Sequence, residues 1–406
     1  MKINGLSIAL AILSLVTFNR CKQQDTVAAT PGGPTSTTVV STTQAAGFQF
    51  GADLSYVNQI LDHGGLYMDQ NEVRSPYRIL KDQGATVARF RLWHTPTWTK
   101  TVYGTAGTQL YNDLADVEKS IRLAREQGLL VNLDIHYSDV WADPARQDVP
   151  TSWTAIKTID VLADSVYQYT LGTLLRLNSK GLMPDMVQIG NEINCGMLYG
   201  NVPASFPACN ACKNQWSQLG QVINSGIRAV RTASASSVTK PKVLLHVADP
   251  KNVEWWFDNI KTQGNVTDFD VVGFSYYPLW HTTIPVDRLS GSVAQFKSKY
   301  GKQVMMLETA YPWSTGYNDT YANQFGSQTP IAGYPFTQQG QLDLLKLLTQ
   351  QMKDGGGSGI MYWEPAWITS SMKDLYGTGS SWENATLFDF SGKPTTGMAY
   401  MKQAYK

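Results

Sequence analysis

Short apolar segments alternate eight times with polar loops and helix-like stretches after residue 47, and this alternation limits the fold more than any other feature of the chain. Several segments are apolar on both alternating faces, as strands buried between a barrel interior and outer helices must be. Eight strand–helix units predict a parallel sheet closed into one (β/α)₈ TIM barrel of the α/β class. The segments are Phe48–Leu54, Thr86–Trp93, Leu129–Tyr137, Met186–Ile193, Val243–Ala248, Asp270–Tyr277, Gln303–Thr309 and Gly359–Trp363.

An open doubly wound sheet is the structural alternative to the barrel. Such a sheet usually carries a glycine-rich phosphate-binding turn after an early strand. Neither a GxGxxG nor a GxxxxGK motif occurs in this chain. The stretch Leu114–Glu126, whose apolar residues return at helical spacing before Gly128, predicts one of the helices between the strands. We therefore expect one barrel domain over residues 47–406.

The first 46 residues predict export rather than folded structure. Residues 1–21 combine Lys2 with an apolar run from Leu6 to Phe18, which is typical of a signal peptide and too short to span a membrane. Cys21 stands where a bacterial lipoprotein is acylated, but residues 18–20 lack the small side chains that usually precede such a cysteine. Secretion and a lipid anchor therefore both stay open. Residues 22–46, rich in Thr, Ser, Ala, Gly and Pro, predict a flexible linker.

Charge and aromatic content favour a neutral substrate. The formal net charge of +1 leaves no broad basic field for nucleic acid. Twelve tryptophans offer flat apolar faces on which sugar rings stack, although core packing accounts for many of them. Five scattered histidines predict no zinc site. Among Cys195, Cys209 and Cys212 we expect one disulfide that closes the loop after Cys195, with a third thiol left over. We expect a monomer.

Polar and aromatic residues end the predicted strands at the barrel rim, where the active sites of TIM barrels lie. Charged groups inside apolar strands are costly to bury unless they are paired, so their convergence on one rim predicts a functional site. Taken singly, each could instead be a structural ion pair. These residues are Arg89, Arg91, Trp93, Asp134, His136, Asn191, Glu192, Tyr276, Tyr277, Glu308, Trp363 and Glu364.

Glu192 and Glu308 are the best candidates for a catalytic pair. Glycosidic bonds are cleaved by two carboxyl groups, one protonated and one ionised. These two glutamates end the fourth and seventh segments and can face each other across a small barrel at the separation of about 5 Å that retention requires. The nucleophile needs cationic support, which Arg89 or Arg91 could supply. Glu364 is left open between a sugar ligand and a rim ion pair.

The assembled motifs resemble glycoside hydrolase family 53, the arabinogalactan endo-β-1,4-galactanases, within a clan of retaining barrels. The resemblance covers nearly all of the chain from Gly47 to the C-terminus. The Asn-Glu pair alone would be weak evidence for the family, but the whole set of motifs, in order and at the spacing of barrel strands, is strong evidence. The motifs are Gly51–Ser55, Val87–Trp93, Asp134–Pro144 with Gln147, Gln188–Ile193, Gly273–Pro278, Glu308–Pro312 and Tyr362–Pro365.

This resemblance implies internal cleavage of β-1,4-galactan, a side chain of pectin, by double displacement without a redox or organic cofactor. Glu192 would be the acid/base and Glu308 the nucleophile, and Asn191 would hold the 2-hydroxyl of the sugar. Arg89 would orient the nucleophile, with Tyr277 or its neighbour Tyr276 as a hydrogen-bond donor. The remaining expected substrate-binding residues are Asp53, Trp93, Asp134, His136 and Trp363, although for Asp134 and His136 a buried structural pair is equally open.

Two departures from the family pattern matter. Some bacterial members bind calcium in the loops after strands seven and eight, but here the loop 313–320 carries only Asp319, with Asp389 as a more distant carboxylate. Calcium prefers more anionic oxygens, so structural calcium is not favoured and no metal ligand is assigned. The insertion with Cys209 and Cys212 lies outside the shared pattern.

Two rival functions remain open on the sequence. One is another retaining β-glycanase of the same clan, a mannanase or a glucanase. The other is a surface glycan-binding lipoprotein that has lost turnover. We expect a secreted or cell-surface protein with a polysaccharide partner, in contact with a membrane only through a lipid anchor.

Overall fold

All eight apolar segments contribute strands to one closed parallel barrel. A computed structural model of the chain describes residues 47–406, and the predicted signal peptide, linker and Cys21 lie outside the described residues. The first strand pairs in parallel with the second and with the eighth, which closes the sheet and confirms the predicted barrel. The strands are β1 (Gln49–Asp53), β2 (Val87–Leu92), β3 (Leu130–Ile135), β4 (Met186–Ile189), β5 (Lys242–Ala248), β6 (Val271–Ser275), β7 (Gln303–Glu308) and β8 (Gly359–Tyr362).

Helices cover the outside of the barrel. The amphipathic helix α4 (Leu114–Glu126) has the predicted bounds because Asp113 caps its first turn by accepting from the Asp116 N–H, and Gly128 with φ +68° follows its end. No helix within residues 47–406 combines the length and the apolar character needed to cross a bilayer. The helices are α1 (Val57–Asp62), α2 (Pro76–Asp82), α3 (Trp98–Thr101), α4 (Leu114–Glu126), α5 (Ile159–Ser179), α6 (Trp216–Ser234), α7 (Val253–Thr262), α8 (Leu289–Tyr300) and α9 (Gln338–Asp354).

A short hairpin follows β4 and is held by a disulfide. Its strands Gly196–Met197 and Cys209–Asn210 pair antiparallel, and Cys195 is bonded to Cys212 just outside them. Gly196 adopts φ +91°, and a Cβ there would lie 2.0 Å from the Cys209 carbonyl oxygen, so only glycine fits. Cys209 keeps a free, buried thiol. The disulfide and the leftover thiol agree with the sequence prediction.

The interior of the barrel changes from apolar to polar along the strands. One layer of buried apolar side chains fills its lower end, and residues two positions farther along each strand point into the same interior. On β2 this order is Val87, Arg89 and Arg91, so the charged groups lie above an apolar floor, toward the carboxyl ends. The floor consists of Val87, Leu130, Met186, Leu244, Val271, Met305, Leu307 and Met361.

A bulge in β7 breaks the strand alternation next to the rim. In the pairing of β6 with β7, Phe274 stands opposite Met306 but Ser275 stands opposite Glu308. Leu307 is therefore an extra residue, which lets both its own side chain and that of Glu308 face the interior. Gly273 makes room for it, since a Cβ there would lie 2.3 Å from Leu307 Cδ1.

The apolar floor predicts a stability effect at Leu244, which is fully buried. Leu244→Ala removes packed atoms from a closed interior, and we expect it to lower the free energy of unfolding by about 2–5 kcal/mol. Leu175 on α5 is 48% exposed, so Leu175→Ala should change the free energy of unfolding by less than about 0.5 kcal/mol. Urea unfolding followed by tryptophan fluorescence measures both. Equal effects for the two variants would contradict the packed floor.

Candidate active site

The candidate site is a groove at the carboxyl ends of the strands, with a cavity volume of about 310 Å³. Glu192, Glu308, Asn191, Tyr277 and Trp363 line it, as the sequence predicts. The other predicted residues, Asp53, Arg89, Trp93, Asp134 and His136, are fully buried and do not line the groove; they lie behind its wall. The complete lining is Trp141, Ala142, Asp143, Arg146, Asn191, Glu192, Tyr277, Trp280, Glu308, Tyr321, Gln324, Trp363, Trp367, Asp374, Tyr376, Ser381 and Trp382.

Arg89 connects the buried residues to the groove. Its Nη1 donates to Glu308 Oε1 at 2.7 Å and to Asp53 at 3.1 Å. Its Nη2 donates to Asp134 and to Asn191 Oδ1, both at 2.8 Å. A buried charge is tolerated only when it is paired and hydrogen-bonded, and here one guanidinium meets three carboxylates. Arg89 therefore fixes Glu308 and Asn191 relative to each other.

His136 belongs to this buried support. Its Nε2 lies 3.0 Å from the Asp134 carboxylate, and its Nδ1 accepts from the backbone N–H of Ala142 at 3.0 Å. Both ring nitrogens are thus engaged within the protein. Of the two readings left open for the Asp134–His136 pair, the geometry matches a structural pair. Trp93 packs edge-on against Trp141, at 5.2 Å between ring centroids, and lies behind it.

Glu308 is held by three donors. Besides Arg89, the Tyr277 hydroxyl donates to Oε2 at 2.9 Å and Ser275 Oγ lies 3.4 Å from the same oxygen. Tyr276, the alternative donor considered from sequence, instead donates to the Ile284 carbonyl. Burial raises the pKa of Glu308, while the ion pair with Arg89 and the bond from Tyr277 oppose that rise.

Glu192 has a different environment. It follows β4 with φ +45°, in the left-handed region, and within residues 47–406 its carboxyl group forms no salt bridge. Burial raises the pKa of Glu192 well above its usual range, and the nearby Glu308 charge raises it further. Since Arg89 and Tyr277 support charge on Glu308, a proton shared by the two glutamates resides on Glu192.

The two carboxyl groups are close together. Ser275 Oγ lies 2.5 Å from Glu192 Oε1 and 3.4 Å from Glu308 Oε2, so these oxygens lie no more than about 6 Å apart. Retaining glycosidases place their carboxyl groups about 5–5.5 Å apart, and inverting ones about 6.5–9.5 Å. The geometry therefore matches direct attack by a carboxylate, and it leaves too little room for a water held between two carboxyl groups.

A second buried ion pair explains Glu364. Arg91 Nη1 donates to Glu364 Oε1 at 3.0 Å, and its guanidinium stacks over Tyr56 and Trp93. Burial raises the pKa of Glu364 to about 8, and Arg91 opposes the rise. Of the two readings left open by the sequence, the geometry matches the ion pair, because Glu364 does not line the groove.

Aromatic residues form two clusters on the groove. In one cluster Trp280 stacks on Phe325 at 4.5 Å between centroids, with Trp382 next to both. In the other cluster Trp141 stacks with Tyr376 at 6.0 Å, and Arg146 donates to the Tyr376 hydroxyl. The sequence pattern does not indicate Trp280, Trp382 or Tyr376 as site residues, because they lie in loops where no strand alternation shows which way a side chain points.

The loops after β7 and β8 do not fit a calcium ion. The Asp319 carboxylate accepts from the backbone N–H groups of Tyr321 and Ser380. The Asp389 carboxylate likewise accepts from backbone N–H groups of its own turn. Within the described residues no three acidic, histidine or cysteine side chains converge as metal ligands. Calcium needs six to eight oxygen ligands, and these carboxylates already have donors.

Sequence and structure comparisons place most of the chain in one family of glycoside hydrolases. Residues 49–401 match the sequence profile of glycosyl hydrolase family 53. The chain is 40% identical to the arabinogalactan endo-β-1,4-galactanase of Cellvibrio japonicus over 85% of its own length and 88% of that enzyme. Among solved structures it is similar to the family 53 catalytic domain of Ignisphaera aggregans, with 30% identity, a TM-score of 0.77 and coverage of 88% and 96%. It is also similar to a fungal β-1,4-galactanase, with 26% identity, a TM-score of 0.71 and coverage of 88% and 99%.

The raised pKa of Glu192 predicts a pH-dependent stability effect. Above the usual pKa of a glutamate, about 4.3, the folded state keeps a proton that the unfolded state releases, so stability falls as pH rises. Glu192→Gln removes this dependence. We expect the variant to be more stable than the wild type at neutral pH, by about 1.4 kcal/mol for each unit by which the pKa is raised.

Chemical unfolding between pH 3.5 and pH 8 measures this effect. Below about pH 4 the Glu192 side chain of the wild type is protonated in both the folded and the unfolded state, so wild type and Glu192→Gln should have similar stabilities. Glu126→Gln, at an exposed site on α4, is the matched control and should show no such trend. A Glu192→Gln variant that is less stable than the wild type at neutral pH would contradict the assignment.

Proposed function

The chain belongs to glycosyl hydrolase family 53, and from this premise we propose that it cleaves internal β-1,4-galactosidic bonds of galactan with retention of configuration. It is a glycoside hydrolase, and the family is a retaining one. The observation that carries the proposal for this chain is the pair Glu192 and Glu308, which lie within about 6 Å of each other but differ in charge support. One glutamate is ready to give a proton and the other is ready to attack.

In the first step Glu308 attacks the anomeric carbon and forms a covalent glycosyl ester. Its charge is held by Arg89 and Tyr277 until the bond forms. Glu192 gives its proton to the glycosidic oxygen as the carbon–oxygen bond breaks, so the leaving chain departs as an alcohol. Burial of Glu192 is what keeps this proton in place near neutral pH.

In the second step water hydrolyses the ester. Glu192, now ionised, takes a proton from the water, and the water oxygen bonds to the anomeric carbon while Glu308 leaves as a carboxylate. The two displacements on one carbon restore the original configuration. Each glutamate returns to its starting protonation state, so no cofactor enters the cycle.

Asn191 is placed to hold the 2-hydroxyl of the sugar. Its Oδ1 accepts from Arg89, and one hydrogen of its Nδ2 donates to the Ala142 carbonyl at 2.8 Å. The second Nδ2 hydrogen has no acceptor among residues 47–406, and Asn191 lines the groove with both glutamates, so we expect this hydrogen to bond the sugar hydroxyl. A hydrogen bond there strengthens as charge develops in the transition state.

The aromatic clusters support action on a polymer. Trp280 is 42% exposed and Tyr376 is 67% exposed, so both present ring faces to solvent along the groove. Sugar rings stack on such faces without the need for charge. Two aromatic clusters in the groove that holds both glutamates favour binding of several galactose units, which internal cleavage requires.

We further propose that the protein acts outside the cell as a monomer. A polysaccharide reaches an enzyme only where that enzyme is exported, and residues 1–46 have the composition of an export signal and a tether. One chain already supplies both glutamates and the aromatic residues of the groove, so the proposed cycle does not require a second chain. Whether the tether ends in a secreted terminus or in lipid at Cys21 is decided by mass spectrometry of the mature N-terminus.

A panel of purified polysaccharides tests the substrate. We expect reducing ends to appear rapidly from linear β-1,4-galactan, and the viscosity of the solution to fall early, because internal cuts shorten chains faster than they release sugar. Mannan and β-glucan should give less than about 1% of that rate, because a site that hydrogen-bonds particular sugar hydroxyls discriminates by large factors. If mannan or glucan is hydrolysed faster than galactan, the proposed substrate is wrong.

Glu308→Ala is the inactive control for this panel. It should lower turnover by about 10⁴-fold or more, since the nucleophile acts as part of a unit with its partner acid. Azide fills the space left by the carboxylate, and it should restore turnover on activated aryl galactosides and give the α-galactosyl azide. Tight galactan binding without hydrolysis by the wild type would identify a binding protein instead of an enzyme.

A further inference from the structure

The hydroxyl group of Ser275 lies between the two glutamates, and none of the catalytic steps described above uses it. It ends β6, is fully buried, and stands opposite Glu308 because of the bulge at Leu307. Three groups surround Oγ: Glu192 Oε1 at 2.5 Å, His246 Nε2 at 2.8 Å and Glu308 Oε2 at 3.4 Å. A hydroxyl has one hydrogen to donate and two lone pairs, so it cannot donate to all three at once.

The neighbouring His246 settles which partner donates to Ser275. It is buried on β5, and burial together with Arg89 and His136 lowers its pKa well below the ordinary value, so only one ring nitrogen carries a hydrogen. The backbone N–H of Glu192, which can only donate, points at Nδ1 at 3.4 Å. Asn191 Oδ1 lies 2.9 Å from the same nitrogen, but both of its lone pairs already accept, from Arg89 and from the Gln188 amide. Nε2 therefore carries the hydrogen and donates to Ser275 Oγ.

With one lone pair of Oγ occupied by His246, the remaining lone pair and the hydrogen serve the glutamates. On the proposed mechanism, charge lies on Glu308 and a proton on Glu192 in the free enzyme. In the glycosyl-enzyme the negative charge lies on Glu192 instead, since Glu308 is an ester and Glu192 is a carboxylate. A group between them must accept from Glu192 in the first state and donate to it in the second.

We propose that Ser275 is a positioning residue whose single hydrogen turns from Glu308 to Glu192 as negative charge moves between the two glutamates, with His246 holding the hydroxyl in place. In the free enzyme Glu192 donates to Oγ and Oγ donates to Glu308. In the glycosyl-enzyme Oγ donates to the Glu192 carboxylate. Only a hydroxyl does both by rotation, without movement of the backbone. The inference rests on the proposed function.

Ser275→Ala tests this role through the demand of the leaving group for a proton. Without its partner the Glu192 carboxyl group is free to turn away, so proton donation suffers most. We expect kcat/KM on galactan to fall about 10- to 100-fold, part of the contribution of a general acid. On 2,4-dinitrophenyl β-galactobioside, whose leaving group needs no proton, kcat/KM should fall less than about threefold.

A second readout follows the other half of the cycle. With the dinitrophenyl substrate, hydrolysis of the glycosyl-enzyme limits kcat and needs Glu192 as base. Azide attacks without a base, so it should raise kcat of Ser275→Ala and give the β-galactosyl azide, while wild-type kcat stays unchanged. Ser225→Ala, which removes a buried hydroxyl on α6 that does not line the groove, is the matched control and should behave as wild type.

His246→Leu keeps the Ser275 hydroxyl but removes the donor that holds it, and it should show the same pattern with smaller effects. This variant decides the matter if Ser275→Ala does not fold, as judged by thermal melting. Equal losses on both substrates, with no azide effect, would overturn the inference while leaving the proposed function intact. Absence of galactan hydrolysis by the wild type would instead remove the proposed function.

Discussion

The contact between Arg89 and its three carboxylates is the interaction on which the site depends. A guanidinium and several carboxylates lose hydration when they are buried, and only their mutual pairing compensates for that loss. Removal of one partner from such a group usually costs about 3–5 kcal/mol, because the others are left as unpaired buried charges. Arg89 therefore joins stability to function: the contacts that make its burial tolerable also fix Glu308, Asn191 and Asp134 in one arrangement.

The barrel makes this arrangement possible through its interior. An apolar floor closes the lower end, and on β2 to β5 the residues two positions farther along each strand are polar and buried above it, namely Arg89, Asn132, Gln188 and His246. Two local irregularities then set the catalytic geometry. The bulge at Leu307 turns Glu308 inward opposite Ser275, and the left-handed backbone of Glu192 turns that residue toward the same groove. Unequal support by Arg89 and Tyr277 gives the two similar side chains different roles.

Much of this could be predicted from the sequence. Eight apolar segments marked the barrel, and Glu192 and Glu308 could be chosen because carboxylates at strand ends must converge at one rim. The sequence could not show the bulge at Leu307, because strand alternation assigns Leu307 and Glu308 to opposite faces. It could not rank Tyr277 above Tyr276 or show that Glu364 pairs with Arg91, since these depend on side-chain direction. Trp280 and Trp382 could not be predicted either, because they lie in loops, whose sequence has no regular periodicity.

The central claim is that Glu308 attacks the sugar directly while Glu192 handles the proton, across a gap too narrow for an intervening water. The anomeric configuration of the first product tests this claim most directly. Proton NMR spectroscopy during early hydrolysis of linear β-1,4-galactan should show the β-anomer of the new reducing end first, with the α-anomer appearing later by mutarotation. An α-anomer that appears first would require a single displacement by water and would contradict the account.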